Sequence, residues 1–152
     1  MDKAFYLREL ERQSAMLYRV AYTILRNDHI CEDAMQETAL KAWEKRDTLR
    51  QEQYFRTWIT RILINCCRDI QRQNRRLVSM EDIAEPVSYP PDMTLHLALA
   101  ALPDKLRLPL VLCYSEGMTY QEIAETMRLP VATVRGRIHR AKKELRKELD
   151  AE

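Results

Sequence analysis

The side chains best equipped for chemistry in this chain are cations set out along two helical faces. Between residues 131 and 147, Arg135, Arg137, Arg140, Lys142, Lys143, Arg146 and Lys147 stand against Glu144 alone, a net charge of +6. At 3.6 residues per turn, Val134, Ile138, Ala141, Leu145 and Leu149 share one side of such a helix, the side expected to be buried. Opposite them lie Ala132, Gly136 and Lys143, flanked by Arg135, His139 and Arg140. Alanine and glycine at the centre of that face add nothing to helix stability or cost some of it, but they let the backbone approach a flat partner closely. Arginine is the side chain best matched to the two acceptors of guanine in the major groove. Thr133, Arg137 and Lys142 fall to the sides, where phosphates would lie.

The second face belongs to residues 61–76, with five arginines against Asp69 and a net charge of +4. Arg61, Asn65, Arg68, Arg72 and Arg76 recur at spacings of four, three, four and four. Their stripe centres roughly 110° around the helix from an apolar one made by Phe55, Trp58, Ile59, Ile62, Cys66 and Ile70. One face can pack while its flank stays basic and open. A polar stretch from Asp47 to Gln53 precedes this helix, with Tyr54 as an exposed aromatic candidate; Phe55 and Trp58, on the apolar stripe, read as core. Arginine together with an aromatic ring is what an unstacked base needs, through phosphate attraction and stacking.

Other chemistries find little support. No paired carboxylates, nucleophile–base set or metal-ligand cluster is evident, so neither enzyme activity nor a cofactor is expected. Cys31, Cys66, Cys67 and Cys113 form no C-x-x-C pair and have no histidine at zinc-finger spacing, and they read as buried, reduced thiols. Only two glycines occur, too few for a Rossmann or P-loop site or for a turn-rich β domain. In 152 residues, 46% are hydrophobic and 32% charged. No apolar run approaches the ~20 residues of a membrane span. The first residues lack the apolar core of a secretory signal, so a cytoplasmic protein without membrane insertion is expected. The two basic segments leave the rest of the chain at −8 within an overall +2, which points to two contacts with a polyanion rather than diffuse basicity.

The elements that must position these faces read as helices throughout. Leu17, Val20, Ala21, Ile24 and Leu25 recur at helical spacing, and Asn27 and Asp28 break the pattern and can cap a second helix carrying Ala34, Leu40 and Trp43. Residues 77–94 hold three of the six prolines and four acids without a base, the composition of a linker. They divide the chain into helical domains at 1–76 and 95–152. Extended, 18 linker residues reach at most roughly 60 Å, about 18 steps of B-DNA. In the second domain Thr94 can cap a short helix through Leu102. Another helix opens at Pro103 and Asp104, is disturbed at Pro109 and ends near Gly117. Thr119 and Glu122 form a capping box, so a helix starts at Tyr120 and holds Ile123, Ala124 and Met127 inward. The turn Arg128-Leu129-Pro130 leads into the basic helix. Two helices on a three-residue turn, the second strongly basic, are the sequence form of a helix-turn-helix.

Taken in order, the motifs resemble a known family. DAMQETALKAW from Asp33 to Trp43, FRTWITRILIN from Phe55 to Asn65 and the arginine-rich end of that helix resemble conserved region 2 of bacterial sigma factors. LPDKLR from Leu102, GMTYQEIA from Gly117 and LPVATVRGRIHRA from Leu129 resemble region 4. No sizeable domain lies between them, as in the extracytoplasmic-function (ECF) group.

This resemblance implies a subunit that binds core RNA polymerase and directs promoter-specific initiation. The Asp33–Trp43 helix would dock on the clamp helices of the largest catalytic subunit through Asp33, Gln36, Glu37 and Trp43. A melted −10 strand would be held by the loop Leu49–Tyr54 and by Tyr54, Arg61, Asn65, Arg68, Arg72 and Arg76. A duplex −35 element would be read by Thr133, Arg135, Gly136, Arg137, His139, Arg140 and Lys143, with the second domain resting on the flap of the other large subunit. An anti-sigma factor is a further implied partner. The chain departs from the family in a polar loop without glycine, in the lack of an aromatic residue at Thr38-Ala39-Leu40, and in Pro109. Two other readings stay open on the residues alone. One is a stand-alone helix-turn-helix regulator with an N-terminal dimerisation or sensor module, and the other is a protein that binds only protein partners.

Overall fold

The computed structural model describes residues 1–78 and 94–151. Among these, all regular structure is helical, as expected. Helices α1 (Lys3–Leu25), α2 (Asp28–Glu44) and α3 (Phe55–Val78) come first, with two single 3₁₀ turns, Arg46–Thr48 and Glu52–Tyr54, between α2 and α3. Helices α4 (Thr94–Ala101), α5 (Asp104–Tyr114), α6 (Tyr120–Met127) and α7 (Val131–Asp150) follow. The chain forms two compact units, one holding α1–α3 and the other α4–α7. The linker expected at 77–94 overlaps helix at both ends: α3 continues through Val78, and Thr94 is the first residue of α4 rather than a cap ahead of it. Its remaining residues, 79–93, lie outside the described residues.

In the first unit, each helix start has a chemical cause. The Asp2 carboxylate accepts the Phe5 backbone N–H at 2.8 Å, and the Asn27 side chain accepts that of Ile30 at 3.0 Å. Both satisfy N–H groups that the first helical turn cannot. Arg26 takes a left-handed conformation (φ 57°) to end α1 and turn the chain into α2. The three helices pack pairwise around Leu17, Val20 and Ala21 of α1, Cys31, Ala34, Thr38 and Ala42 of α2, and Ile59, Leu63, Ile64 and Cys67 of α3. Because α3 packs on both α1 and α2, its buried face is wider than the stripe read from the sequence and takes in Thr60, Leu63 and Ile64. Phe55, 2% exposed, is the expected core residue, with Phe5 (6.0 Å between centroids), Tyr6 (6.2 Å) and Trp58 (5.6 Å) around it.

Not every apolar residue carried by α2 joins the core. Leu40 is 64% exposed. The buried stripe of α2 runs through Ala34, Thr38 and Ala42, and Leu40 lies two residues, or about 200°, from both Thr38 and Ala42.

In the second unit, the buried Arg107 of α5 ties down the end of α4. Its guanidinium donates to the carbonyls of Leu99 (2.8 Å), Ala100 (3.0 Å) and Leu102, and to the Asp104 carboxylate (2.7 Å). A helix C-terminus leaves carbonyls without intrahelical donors, and here one planar cation supplies them. Helix α5 runs unbroken through the buried Pro109. Gly117, at φ 66°, turns the chain toward α6. There the capping box forms in full: Glu122 N–H to Thr119 Oγ1 at 3.1 Å, and Thr119 N–H to Glu122 Oε1 at 3.0 Å. Ile123, Ala124 and Met127 are buried, as are Val134, Ile138 and Ala141 of α7. The apolar stripe of α7 fails toward its end: Leu145 is half-buried and Leu149 is 45% exposed. Helix α7 has 20 residues against eight in α4 and in α6, so its last turns run past the elements it packs on.

Candidate nucleic-acid interface

Burial of Val134, Ile138 and Ala141 turns the opposite face of α7 outward. Arg135, His139, Arg140 and Lys143 are exposed, and Thr133, Gly136 and Arg137 are half-buried among them. A Cβ added at Gly136 would meet nothing within 4 Å. The fold therefore does not require glycine at this site, although glycine costs a helix interior about 1 kcal/mol relative to alanine. His139, Lys142, Lys143 and Arg146 line a recess of about 250 Å³ on the same helix. Lys142 leans to one side, its ammonium 4.8 Å from the centre of the Tyr114 ring, and a hydrogen bond with Tyr114 raises its pKa.

On α3, Asn65, Arg68, Arg72 and Arg76 are exposed along one edge, and Arg61 is half-buried at its start. Gln71 holds the far part of the helix by donating to the Ile24 carbonyl at 3.1 Å. A groove of about 790 Å³ runs between α2 and α3, with Asp33, Glu37 and Lys41 on one bank and Asp69, Arg72 and Arg76 on the other. Residues expected to face a protein and residues expected to face a strand thus share one groove.

The loop ahead of α3 is held at both ends. Trp58 Nε1–H donates to Thr48 Oγ1 at 2.9 Å. Arg46 lies over the Trp43 ring, 4.2 Å from its centre, and donates to the Trp43 carbonyl at 2.8 Å. Tyr54 is 52% exposed beside this anchored segment, as the sequence indicates. Trp58, read as plain core, is half-buried and pins the loop. The one sequence signal for that role is generic: an indole N–H near a core seeks an acceptor.

On α2, Asp33, Gln36 and Glu37 are exposed on one face, and Leu40 joins them one turn on. Leu40 is the residue of this face that the sequence reading missed. Trp43 is half-buried, its ring 5.2 Å from that of Tyr6. Burial pushes the thiols up, Cys31 to about 11 and Cys67 to about 12, and raises Cys66 as well. Among the described residues no group of three or more His, Cys, Asp or Glu could hold a metal ion, and no helix is long and apolar enough to cross a membrane.

Comparison with known proteins places both units. Residues 10–77 match the model of sigma-70 region 2, and residues 92–145 that of sigma-70 region 4. The chain is 36% identical over 154 residues to the ECF RNA polymerase sigma factor SigE of Mycolicibacterium smegmatis, covering 91% of this chain but only 59% of that relative. It is 31% identical over 154 residues to the ECF RNA polymerase sigma factor SigW of Bacillus subtilis, covering 88% and 82%. In fold it is similar to the sigma factor RpoE solved in complex with the anti-sigma factor NepR from Bartonella quintana. The TM-score is 0.81 at 24% identity, over 95% of this chain and 96% of that one. It is also similar to CnrH, solved in complex with the cytosolic domain of CnrY, with a TM-score of 0.75 at 25% identity over 99% and 91%. With both conserved regions present and relatives matched along most of its length, the chain belongs to the ECF sigma factors of RNA polymerase, the family that directs transcription initiation at promoters.

Proposed function

We propose that this chain binds core RNA polymerase and selects promoters by reading a duplex −35 element with α7 and a melted −10 strand with α3. Arg135, His139, Arg140 and Lys143 would face base edges and the adjacent backbone, Gly136 would sit at the point of closest approach, and Thr133 and Arg137 would contact phosphates. On the first unit, Asn65, Arg68, Arg72 and Arg76 would track the strand, Arg61 would stand at its entry and Tyr54 would offer a stacking surface. Extruding a base costs a few kcal/mol, which stacking and phosphate contacts must offset. Asp33, Gln36, Glu37 and the newly exposed Leu40 would form the polymerase-docking face, with Trp43 supporting it from behind. The polymerase makes and breaks the bonds, and this chain supplies position. Work with polymerase on promoters puts it in the cytoplasm. An anti-sigma factor is a partner of the kind seen with the RpoE structure.

The observation that carries this reading is that each unit presents its own exposed cationic helix edge beside a packed apolar face. A stand-alone regulator with a dimerisation module has no use for the one on α3. Run-off transcription with purified core polymerase tests the assignment. Arg140→Ala should lower output about tenfold on promoters with a strong −35 element, the loss of one good base contact. Arg72→Ala should lower it through the −10 element. Crossed or absent effects would refute the division.

A further inference from the structure

The groove between α2 and α3 contains a line of charges whose two middle members, Lys41 and Asp69, these contacts do not use. Asp69 is the lone acid in the cationic segment 61–76. One of its oxygens pairs with Arg72 on the next turn, and the other is 4.0 Å from the Lys41 ammonium on α2. Lys41 is in turn 3.6 Å from the Glu37 carboxylate. The line Glu37–Lys41–Asp69–Arg72 therefore joins the face proposed for polymerase to the edge proposed for the strand. Its side chains are between 36% and 69% exposed. Pairs this open are individually weak and exchange readily, so a charged newcomer at one end can redistribute them.

We propose that Asp69 is a positioning residue that holds Arg72 on the protein in the free chain and releases it when a cationic group docks on Glu37. The inference rests on the reading of α2 as the docking face and of α3 as the strand-binding edge. Lys41 is shared by two carboxylates. A cation arriving at Glu37 competes for that carboxylate, and Lys41 turns more fully to Asp69. An Asp69 carboxylate already met by Lys41 attracts Arg72 less, and the guanidinium becomes available to a phosphate. Polymerase docking would thus raise the strand affinity of the first unit without any movement of the helices. The reverse also holds: strand binding at Arg72 frees Asp69 for Lys41 and leaves Glu37 open to its partner.

The test uses the full chain alone, with fluorescence anisotropy on a labelled, mixed-sequence single-stranded DNA at low salt. Asp69→Asn should tighten binding about two- to fivefold, the scale of one exposed ion pair. Glu37→Gln, which removes the hold on Lys41 much as docking would, should tighten it about two- to threefold. The double variant should bind no better than Asp69→Asn, and Lys41→Met should abolish the effect of Glu37→Gln. Factors that simply multiply, or a Glu37→Gln effect that survives Lys41→Met, would reduce the line to unlinked surface charges and overturn the proposal. If Arg72→Ala leaves strand binding unchanged, the strand-binding reading itself fails and the proposal with it, a result distinct from failed coupling. Unchanged circular dichroism is expected for all six variants, since every substituted side chain is at least a third exposed.

Discussion

Trp58 and Thr48 stand ten residues apart in sequence, and the indole N–H of the first donates to the hydroxyl of the second at 2.9 Å. That bond closes the loop carrying Tyr54 against the first turn of α3. Trp58→Phe keeps the ring and removes the donor, and Thr48→Ala removes the acceptor. Each should cost about 1 kcal/mol of stability, the net worth of one hydrogen bond. Both should slow promoter opening, read by permanganate reactivity of the −10 region, while leaving −35 binding in place. Opening at the wild-type rate in both variants would mean that the loop needs no anchor.

Gly136 separates fold from function. Gly136→Ala should raise stability by about 1 kcal/mol, because nothing lies within 4 Å of the added methyl group. Gly136→Leu should also fold, yet it should abolish the dependence of transcription on the −35 element by holding the helix off the groove. Thermal denaturation and transcription on paired promoters, with and without that element, read the two effects separately.

Leu40, 64% exposed, contributes little to the core. Leu40→Asp should leave the melting temperature nearly unchanged while weakening capture of core polymerase at least tenfold, since a carboxylate would be buried in the proposed docking face. Glu37→Lys should lower capture as well. Undiminished pull-down by both variants would move the docking face elsewhere.

Cys31, Cys66 and Cys67 are at most 2% exposed, whereas Cys113 is half-buried. The thiolate is the reactive form, and with Cys31 raised to about 11 and Cys67 to about 12 it is scarce at neutral pH. Iodoacetamide at pH 8 should modify Cys113 first, with the other three labelled only on unfolding, as counted by mass spectrometry. The same shifts set the alkaline limit. The folded state keeps these two thiols protonated where the unfolded chain, with thiols near 9, ionises. Their contribution to stability is complete below about pH 9 and is lost as pH climbs through about 11 to 12. Denaturant midpoints should therefore hold steady up to pH 9 and fall above it.

Much of this architecture is legible along the chain. The capping box at Thr119 and Glu122, the Asn27 cap, the three-residue turn before α7 and the two cationic stripes are all local: each depends on residues within one or two helical turns. Spacing alone therefore reveals them. Three features were out of reach. Leu40 faces outward because small residues elsewhere on α2 form its contact with α1 and α3, and hydrophobicity does not record which face a neighbour occupies. Leu149 is exposed because α7 outruns its neighbours, a matter of relative lengths in space. Arg107 reads as one more base in a polar helix start, yet it is buried at the end of α4, where free carbonyls outweigh the cost of desolvating it. Helix identity and charge pattern arise from neighbours in sequence. Which apolar residue is spare, which cation is internal and which carboxylate of α3 meets Lys41 on α2 depend on helices brought together from distant parts of the chain, and only packing decides them.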